Sequence, residues 1–313
     1  MKVIKITPRG YCHGVVNALQ VVAKVLADES ISKPIYLLGE IVHNQNITDV
    51  LTKKGIITLK GSSRRKMLDQ VTTGTVIITA HGIDPHLITK ATNKGLNVVD
   101  ATCIDVYKTH DVITEKLNHG YDVIYIGKQN HPEPEGAIGI NPTRIHLVSN
   151  ITDIENLQLA NDKLCITNQT TMSVWDTAKI MKQAKKLYPT LEIINEICNS
   201  TSMRQEAVSE MAKLCDLTVV VGDPKSNNTN RLVQISEEIA DTPAIRVNNL
   251  EELDTNILLD YDVIGVTSGA STPTIITSEI INFIENFDKN DENTWDNTSK
   301  INHDRIIPRA KHT

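Results

Sequence analysis

Cys12, Cys103 and Cys198 each lie between a short apolar run and the start of a helical pattern, and their spacings, 91 and 95 residues, are nearly equal. The runs are VIKITPRGYC, LNVVDATC and LEIINEIC. A thiolate at a helix N-terminus is stabilised by the partial positive charge there and is a ready metal ligand. Three such sites brought to a common point form a cradle of three thiolates. Zinc would want a fourth ligand, and structural zinc sites draw cysteines as close C-x-x-C pairs, which this chain lacks. An iron–sulfur cube held by three cysteines instead leaves one iron open to a substrate oxygen. The alternative reading is core packing, because free cysteine is among the most buried residue types. Cys165 in KLCITNQ and Cys215 in KLCDLTVVV lie in or beside apolar runs without counterparts in the other repeats, and are assigned to the core.

Polar side chains recur at matched offsets. His43, His131 and Asn228 follow their cysteines by 31, 28 and 30 residues, and His81, Thr170 and Ser271 by 69, 67 and 73. A lone histidine in such a loop is by default a satisfied side chain; six matched positions favour a site on the axis of the cysteines. A set of His, Thr, Ser and Asn without clustered lysine suits hydrogen bonding to an oxyanion. Ser226-Asn227-Asn228-Thr229 directly precedes the helical NRLVQISEEIA, whose first N–H groups favour a phosphate. The P-loop and G-x-S-x-G patterns are both absent, so neither nucleotide hydrolysis nor a serine hydrolase is implied. In His131-Pro132-Glu133-Pro134-Glu135-Gly136, prolines fix a loop that carries two carboxylates. A partly desolvated carboxyl group keeps its proton near neutral pH and can act as a general acid. Glu133 is assigned that role, and Glu135 is expected to face solvent or cap the following helix; the alternative is that both do so.

A scaffold that presents equivalent loops three times must itself repeat. Each repeat reads β-α-β-α-β-α-β-α, with segments 1–102, 103–197 and 198–287 followed by a polar tail, 288–313. Strands alternating with helices require crossovers, hence an α/β fold in which each repeat carries a parallel sheet. A period of about 90 residues exceeds that of solenoids. Ligands of such sheets bind beyond the carboxyl ends of strands, where the polar loops fall. A 40% hydrophobic content in 313 residues can fill such cores, and 4% aromatics leaves Ile, Val, Leu and Ala to build them. The net charge of −6 argues against nucleic acid as a partner. The basic cluster Lys60, Arg64, Arg65 and Lys66 reads as a solvated helix face or a docking spot for an acidic protein. No apolar run reaches membrane-spanning length, and MKVIKITPRG lacks the features of a secretory signal, so a cytoplasmic location is expected. Five cysteines, odd in number and widely spread, suit a reducing compartment. The tail is expected to be mobile or surface-draped, with Trp295 and Ile306–Ile307 as its only candidate anchors.

RGYCHGV, GEIVHN, TAHG, VDATC, NHPEPEG, NQTT, EICNSTSMRQEA, KSNNTNRL and SGASTP, in this order over residues 3–285, together resemble the LytB/IspH family of 4-hydroxy-3-methylbut-2-enyl diphosphate reductases. The resemblance implies a trefoil of three α/β domains around a central cavity, with a [4Fe-4S] cluster on Cys12, Cys103 and Cys198. It implies reductive loss of the C4 hydroxyl to give isopentenyl and dimethylallyl diphosphates, with single electrons from a ferredoxin or flavodoxin. By the same carry-over, His43, His81, Ser226, Asn228 and Ser271 bind the diphosphate, while His131, Thr170 and Glu133 serve the hydroxyl end and proton delivery. Asn227 departs from the Ser-Ser-Asn form of its loop, which leaves its backbone N–H as the contact. Rival readings are a three-cysteine cluster enzyme of quinolinate synthase type, a non-catalytic iron–sulfur sensor, and a metal-free anion-binding protein.

Overall fold

The computed structural model describes residues 1–308. The chain opens on strand β1 (Lys2–Lys5) and helix α1 (His13–Ala27). Then come β2 (Ile35–Leu37), α2 (Gln45–Lys53), β3 (Ile56–Thr58), α3 (Arg64–Asp69), β4 (Thr75–Ile78), α4 (Pro85–Asn93) and β5 (Asn97–Asp100). The order returns as α5 (Ile104–Asn118), β6 (Asp122–Ile126), α6 (Pro132–Ile140), β7 (Ile145–Val148), α7 (Ile151–Asn156), β8 (Leu164–Asn168), α8 (Val174–Leu187) and β9 (Glu192–Ile193). It returns again as α9 (Asn199–Met211), β10 (Leu217–Val221), α10 (Asn227–Glu238), β11 (Ala244–Val247), β12 (Val263–Ser268) and α11 (Thr274–Asn286). Between β11 and β12 two 3-10 segments, Leu250–Glu252 and Thr255–Asp260, stand where the other repeats place an α-helix.

Three four-stranded parallel sheets result, ordered β3-β2-β4-β5, β7-β6-β8-β9 and β11-β10-β12-β1. This is the α/β class expected from the strand–helix alternation. β4, β8 and β10 are buried at every position, as strands covered on both faces must be. The strand leading into each cysteine is always the edge strand of a sheet whose other strands precede it: β5 before Cys103 and β9 before Cys198. β1, which leads into Cys12, takes the corresponding edge beside β12, a strand later in the chain, with Lys2 paired to Val263. Residues 1–102 therefore contribute strands to two sheets.

By compactness the described chain divides into two units, one of Met1–Val15, His43–Val50 and Asn199–Pro308, the other of Val16–Val42 and Leu51–Cys198. The first holds the β11-β10-β12-β1 sheet, and the second holds the other two. Inside the second unit, α6 lies close against the segment that follows β4. A Cβ added to Gly136 would stand 3.2 Å from backbone atoms of Ile83, so only glycine permits this approach without a shift. No helix among the described residues is long and apolar enough to cross a membrane.

Two surface expectations change. Lys60 and Arg65 of the basic cluster are exposed, but Arg64 is only 4% exposed and packs against α6 through Glu135 and the Pro132 carbonyl. Charge in a sequence window does not reveal which side chain a short helix turns inward. The tail also has a definite place on the first unit. Trp295 stacks on Phe287 at 5.6 Å, Asn297 donates to the Leu253 carbonyl at 2.9 Å, and Ser299 donates to Glu279 at 3.0 Å. Ile306 is 1% exposed, and its carbonyl accepts the Tyr11 hydroxyl at 2.9 Å, one residue before Cys12.

Ile306→Ala is expected to destabilise the protein by about 2–5 kcal/mol in urea denaturation, the usual cost of emptying a buried aliphatic site. A change below about 0.5 kcal/mol, typical of surface substitutions, would show that the tail is not docked in solution.

Candidate active site

The three cysteines occupy one position in a repeated backbone pattern. The N–H of Cys12 donates to the Ala270 carbonyl at 3.0 Å, that of Cys103 to Ala80 at 3.0 Å and that of Cys198 to Thr170 at 3.1 Å. Each acceptor lies two residues beyond a central strand: β12, β4 and β8 respectively. Each cysteine is then followed at once by a helix: α1, α5 or α9. Cys103 is the N-cap of α5, and the Cys12 sulfur accepts the Val15 N–H at 3.5 Å in the first turn of α1. All three are half-buried thiols. Cys165 is fully buried and its thiol is pushed up to about 12 by burial; burial likewise pushes Cys215 up to about 11. Cys165 packs in the core as expected, whereas Cys215 is only half-buried, its thiol donating to the Met211 carbonyl at 3.4 Å.

The loop before Cys12 is specified closely. Gly10 has φ +77°, its N–H donates to Ser268 Oγ at 2.7 Å, and its carbonyl accepts from the buried Arg204 at 2.8 Å. A Cβ here would come within 2.5 Å of Thr274 Oγ1, and the left-handed backbone already disfavours other residues.

The pattern also corrects the alignment of polar groups. Counting from the carbonyls that hold the cysteines, His81 and Ser271 correspond to Thr171, not to Thr170. At the other loops the helix N-caps are Asn44, His131 and Ser226, so His43 precedes its cap and Asn228 follows its own by two. Sequence reasoning passed over Asn44, although an Asn directly before a helical run is a recognisable N-cap signal.

In the first unit, the start of α10 gathers several buried polar side chains. Ser226 Oγ accepts the Thr229 N–H at 3.3 Å, which leaves its hydroxyl proton to donate. Asn227 is 6% exposed and Asn228 3%, and both amide atoms of Asn228 are buried without a hydrogen-bond partner. Buried amides are nearly always satisfied, so an orphaned one marks a place for a ligand or water. In the same unit, Asn44 Nδ2 is orphaned in the same way, and Ser271 Oγ donates to the His43 carbonyl at 3.0 Å.

In the second unit, Glu133 is 2% exposed, and Thr170 grips both its oxygens: the backbone N–H donates to Oε1 at 2.7 Å and the hydroxyl to Oε2 at 3.1 Å. Burial pushes the carboxyl up to about 7; the two Thr170 bonds pull the other way and Asp105 adds to the rise. Glu133 can therefore hold a proton or give it up near neutral pH. His131 Nδ1 accepts the Glu133 N–H at 3.1 Å, which assigns the proton of a neutral ring to Nε2. The His81 and His131 rings meet edge to face at 5.3 Å. The Glu135 side chain is 38% exposed, in line with a solvent-facing residue, but its carboxylate also accepts the Arg64 N–H at 2.9 Å.

Residues 3–285 match the protein family described as "LytB protein". A 4-hydroxy-3-methylbut-2-enyl diphosphate reductase of Geobacillus sp. (strain WCH70) is 55% identical over 311 residues, spanning 99% of both chains. That of Bacillus pumilus (strain SAFR-032) is 53% identical over 311 residues, again across 99% of each. Among solved structures, the E-1-hydroxy-2-methyl-but-2-enyl-4-diphosphate reductase from Plasmodium falciparum superposes with a TM-score of 0.83 at 36% identity, covering 90% of this chain and 87% of that one. A structure of (E)-4-hydroxy-3-methyl-but-2-enyl diphosphate reductase, the terminal enzyme of the non-mevalonate pathway, gives 0.65 at 30% identity, with 92% and 100% covered.

The position of the Glu133 pKa carries a stability signature. It lies above the ordinary carboxyl value of 4.5, so between there and about 7 the native state holds a proton the unfolded chain has lost. Stability contributed by the protonated form is complete below that window and declines as pH rises through it. Glu133→Gln is expected to remove this decline, so that urea denaturation shows the variant gaining on the wild type as pH is raised through the window. A difference independent of pH would show an ordinary carboxylate.

Proposed function

The chain belongs to the LytB family, and from that premise we infer that it catalyses the reductive dehydroxylation of (E)-4-hydroxy-3-methylbut-2-enyl diphosphate, the terminal step of the non-mevalonate pathway. The allylic alcohol takes up two electrons and two protons, the C–O bond breaks, and water leaves with isopentenyl or dimethylallyl diphosphate as product. The single observation that carries the site assignment is the buried carboxyl of Glu133 in Thr170's double grip.

Cys12, Cys103 and Cys198 are the proposed ligands of a [4Fe-4S] cluster. The donor set fits: three thiols in one backbone context, each at the electropositive start of a helix, where the thiolate form is favoured. Such a cluster, ligated by three cysteines, supplies one open iron as a Lewis acid and a route for single electrons, here proposed to come from a ferredoxin or flavodoxin.

The remaining chemistry belongs to the chain's own groups. Ser226, Asn227 and Asn228 offer the diphosphate a hydroxyl donor, a helix N-terminus and an orphaned amide. His43, His81 and Ser271 complete that assignment. His131 presents Nε2–H toward the hydroxyl end of the substrate. Thr170 orients the Glu133 carboxyl, whose proton goes to the departing hydroxyl, so that the leaving group is water and not hydroxide. Each turnover leaves Glu133 as a carboxylate, which the Thr170 bonds stabilise until it is reprotonated.

An anaerobic assay with an external reductant tests the reading. The wild type is expected to release both isoprenoid diphosphates, and only when reductant is present. Cys103→Ser is expected to lose iron and sulfide. Glu133→Gln should keep both yet fall in turnover by about 100-fold or more, the usual contribution of a general acid. Product without reductant would overturn the reaction assigned, and full turnover in Glu133→Gln would remove the acid.

A further inference from the structure

Arg64 is a charged side chain that no step of this chemistry uses, yet it is almost completely buried at the start of α3. Its guanidinium donates through Nη1 to the Pro132 carbonyl at 2.8 Å and through Nη2 to Thr79 Oγ1 at 2.9 Å. Glu135 supplies the opposite charge, with Oε2 3.6 Å from Nη1, while its Oε1 accepts the Arg64 backbone N–H. Burying the guanidinium costs desolvation, and its pairing with a Glu135 side chain that is 38% exposed offsets that cost only in part. Stability alone does not account for this arginine.

Its two acceptors do. The Pro132 carbonyl belongs to the same peptide unit as the Glu133 N–H, which donates to His131 Nδ1. That plane is therefore held at both ends, by Arg64 on the oxygen and by His131 on the nitrogen, immediately before the Glu133 side chain. On the other arm, Thr79 Oγ1 accepts from Arg64, which can only donate, and lies 3.4 Å from His81 Nδ1. With one Thr79 lone pair taken by Arg64, a Thr79 proton donated to Nδ1 leaves the His81 proton on Nε2, as in His131, and this is the tautomer the inference adopts. Arginine suits this role because its planar fork reaches two separated acceptors at once; a lysine ammonium is a point donor.

We propose that Arg64 is a positioning residue: through the Pro132 carbonyl it orients Glu133, and through Thr79 it sets His81 as an Nε2–H donor. The inference rests on the roles assigned above to Glu133 and His81, and it separates into two measurable arms. Thr79→Val keeps the side-chain shape and removes the relay. It is expected to weaken binding of inorganic diphosphate in calorimetry by about 3- to 10-fold, the scale of one hydrogen bond, and to raise KM while sparing kcat. Thr79→Ser should restore both. Arg64→Lys keeps the cation but cannot span both acceptors, and kcat is expected to fall by about 10- to 100-fold, the scale of a misplaced catalytic group. Arg65→Ala, on the exposed neighbour, should leave both constants unchanged.

Wild-type kcat in folded Arg64→Lys, or diphosphate binding in Thr79→Val equal to that in Thr79→Ser, would overturn the proposal. So would a kcat loss in Arg65→Ala as large as that in Arg64→Lys. Glu133→Gln in the same series keeps the two readings apart. If it loses turnover and Arg64→Lys does not, the Arg64 inference alone fails; if it retains full turnover, the acid assignment fails and the inference falls with it.

Discussion

Three backbone hydrogen bonds set the local geometry of the proposed metal ligands: the amides of Cys12, Cys103 and Cys198 are each donated to the carbonyl two residues past a central strand. Such a bond fixes the end of an edge strand against the end of its neighbour, and so fixes where the following helix begins. The thiol then stands at a helix N-terminus beyond the carboxyl end of the sheet, where backbone N–H groups and the helix dipole favour anions. The same dipoles that favour a thiolate also favour a diphosphate at the start of α10. Helix N-termini beyond the carboxyl ends of strands thus serve both the proposed metal ligands, at α1, α5 and α9, and the proposed substrate anion, at α10.

Around this device the protein accepts costs that a stability-optimised core would avoid. Glu133 is buried with its proton-binding range moved to neutrality, Arg64 is a buried cation, and both amide atoms of Asn228 lack partners. Each is unfavourable for folding in isolation. Within each unit, such conflicts between burial and polarity are what is expected where function overrides packing, and they fall on the residues proposed above to bind ligand and carry a proton. The glycines at positions 10 and 136 belong to the same pattern, since each allows an approach that any larger side chain would block.

The strand–helix alternation and the equal cysteine spacing were legible in the sequence because parallel strands covered on both faces read as apolar runs bounded by turn residues. The partner of β1 was not. KVIK carries no local mark of β12, more than 250 residues away, and only the topology places it at the edge that β5 and β9 occupy elsewhere. Matching polar residues by offset found Thr170 but misjudged its register by one, because loop lengths differ between repeats while the backbone bonds do not. Arg64 hid inside a basic cluster for a similar reason, since composition reports charge and not burial. Trp295 and Ile306 were legible as anchors of the Asn- and Asp-rich tail, but their partners, Phe287 and Tyr11, were not.

The claim on which the rest depends is that the three equivalent thiols hold one four-iron cluster with a single iron left for substrate. Mössbauer spectroscopy of the anaerobically purified protein, enriched in iron-57, tests it most directly. The account predicts a cluster in which one iron is distinct and changes when (E)-4-hydroxy-3-methylbut-2-enyl diphosphate is added, while the other three do not. A protein without such iron, or a cluster whose spectrum ignores the substrate, would contradict it.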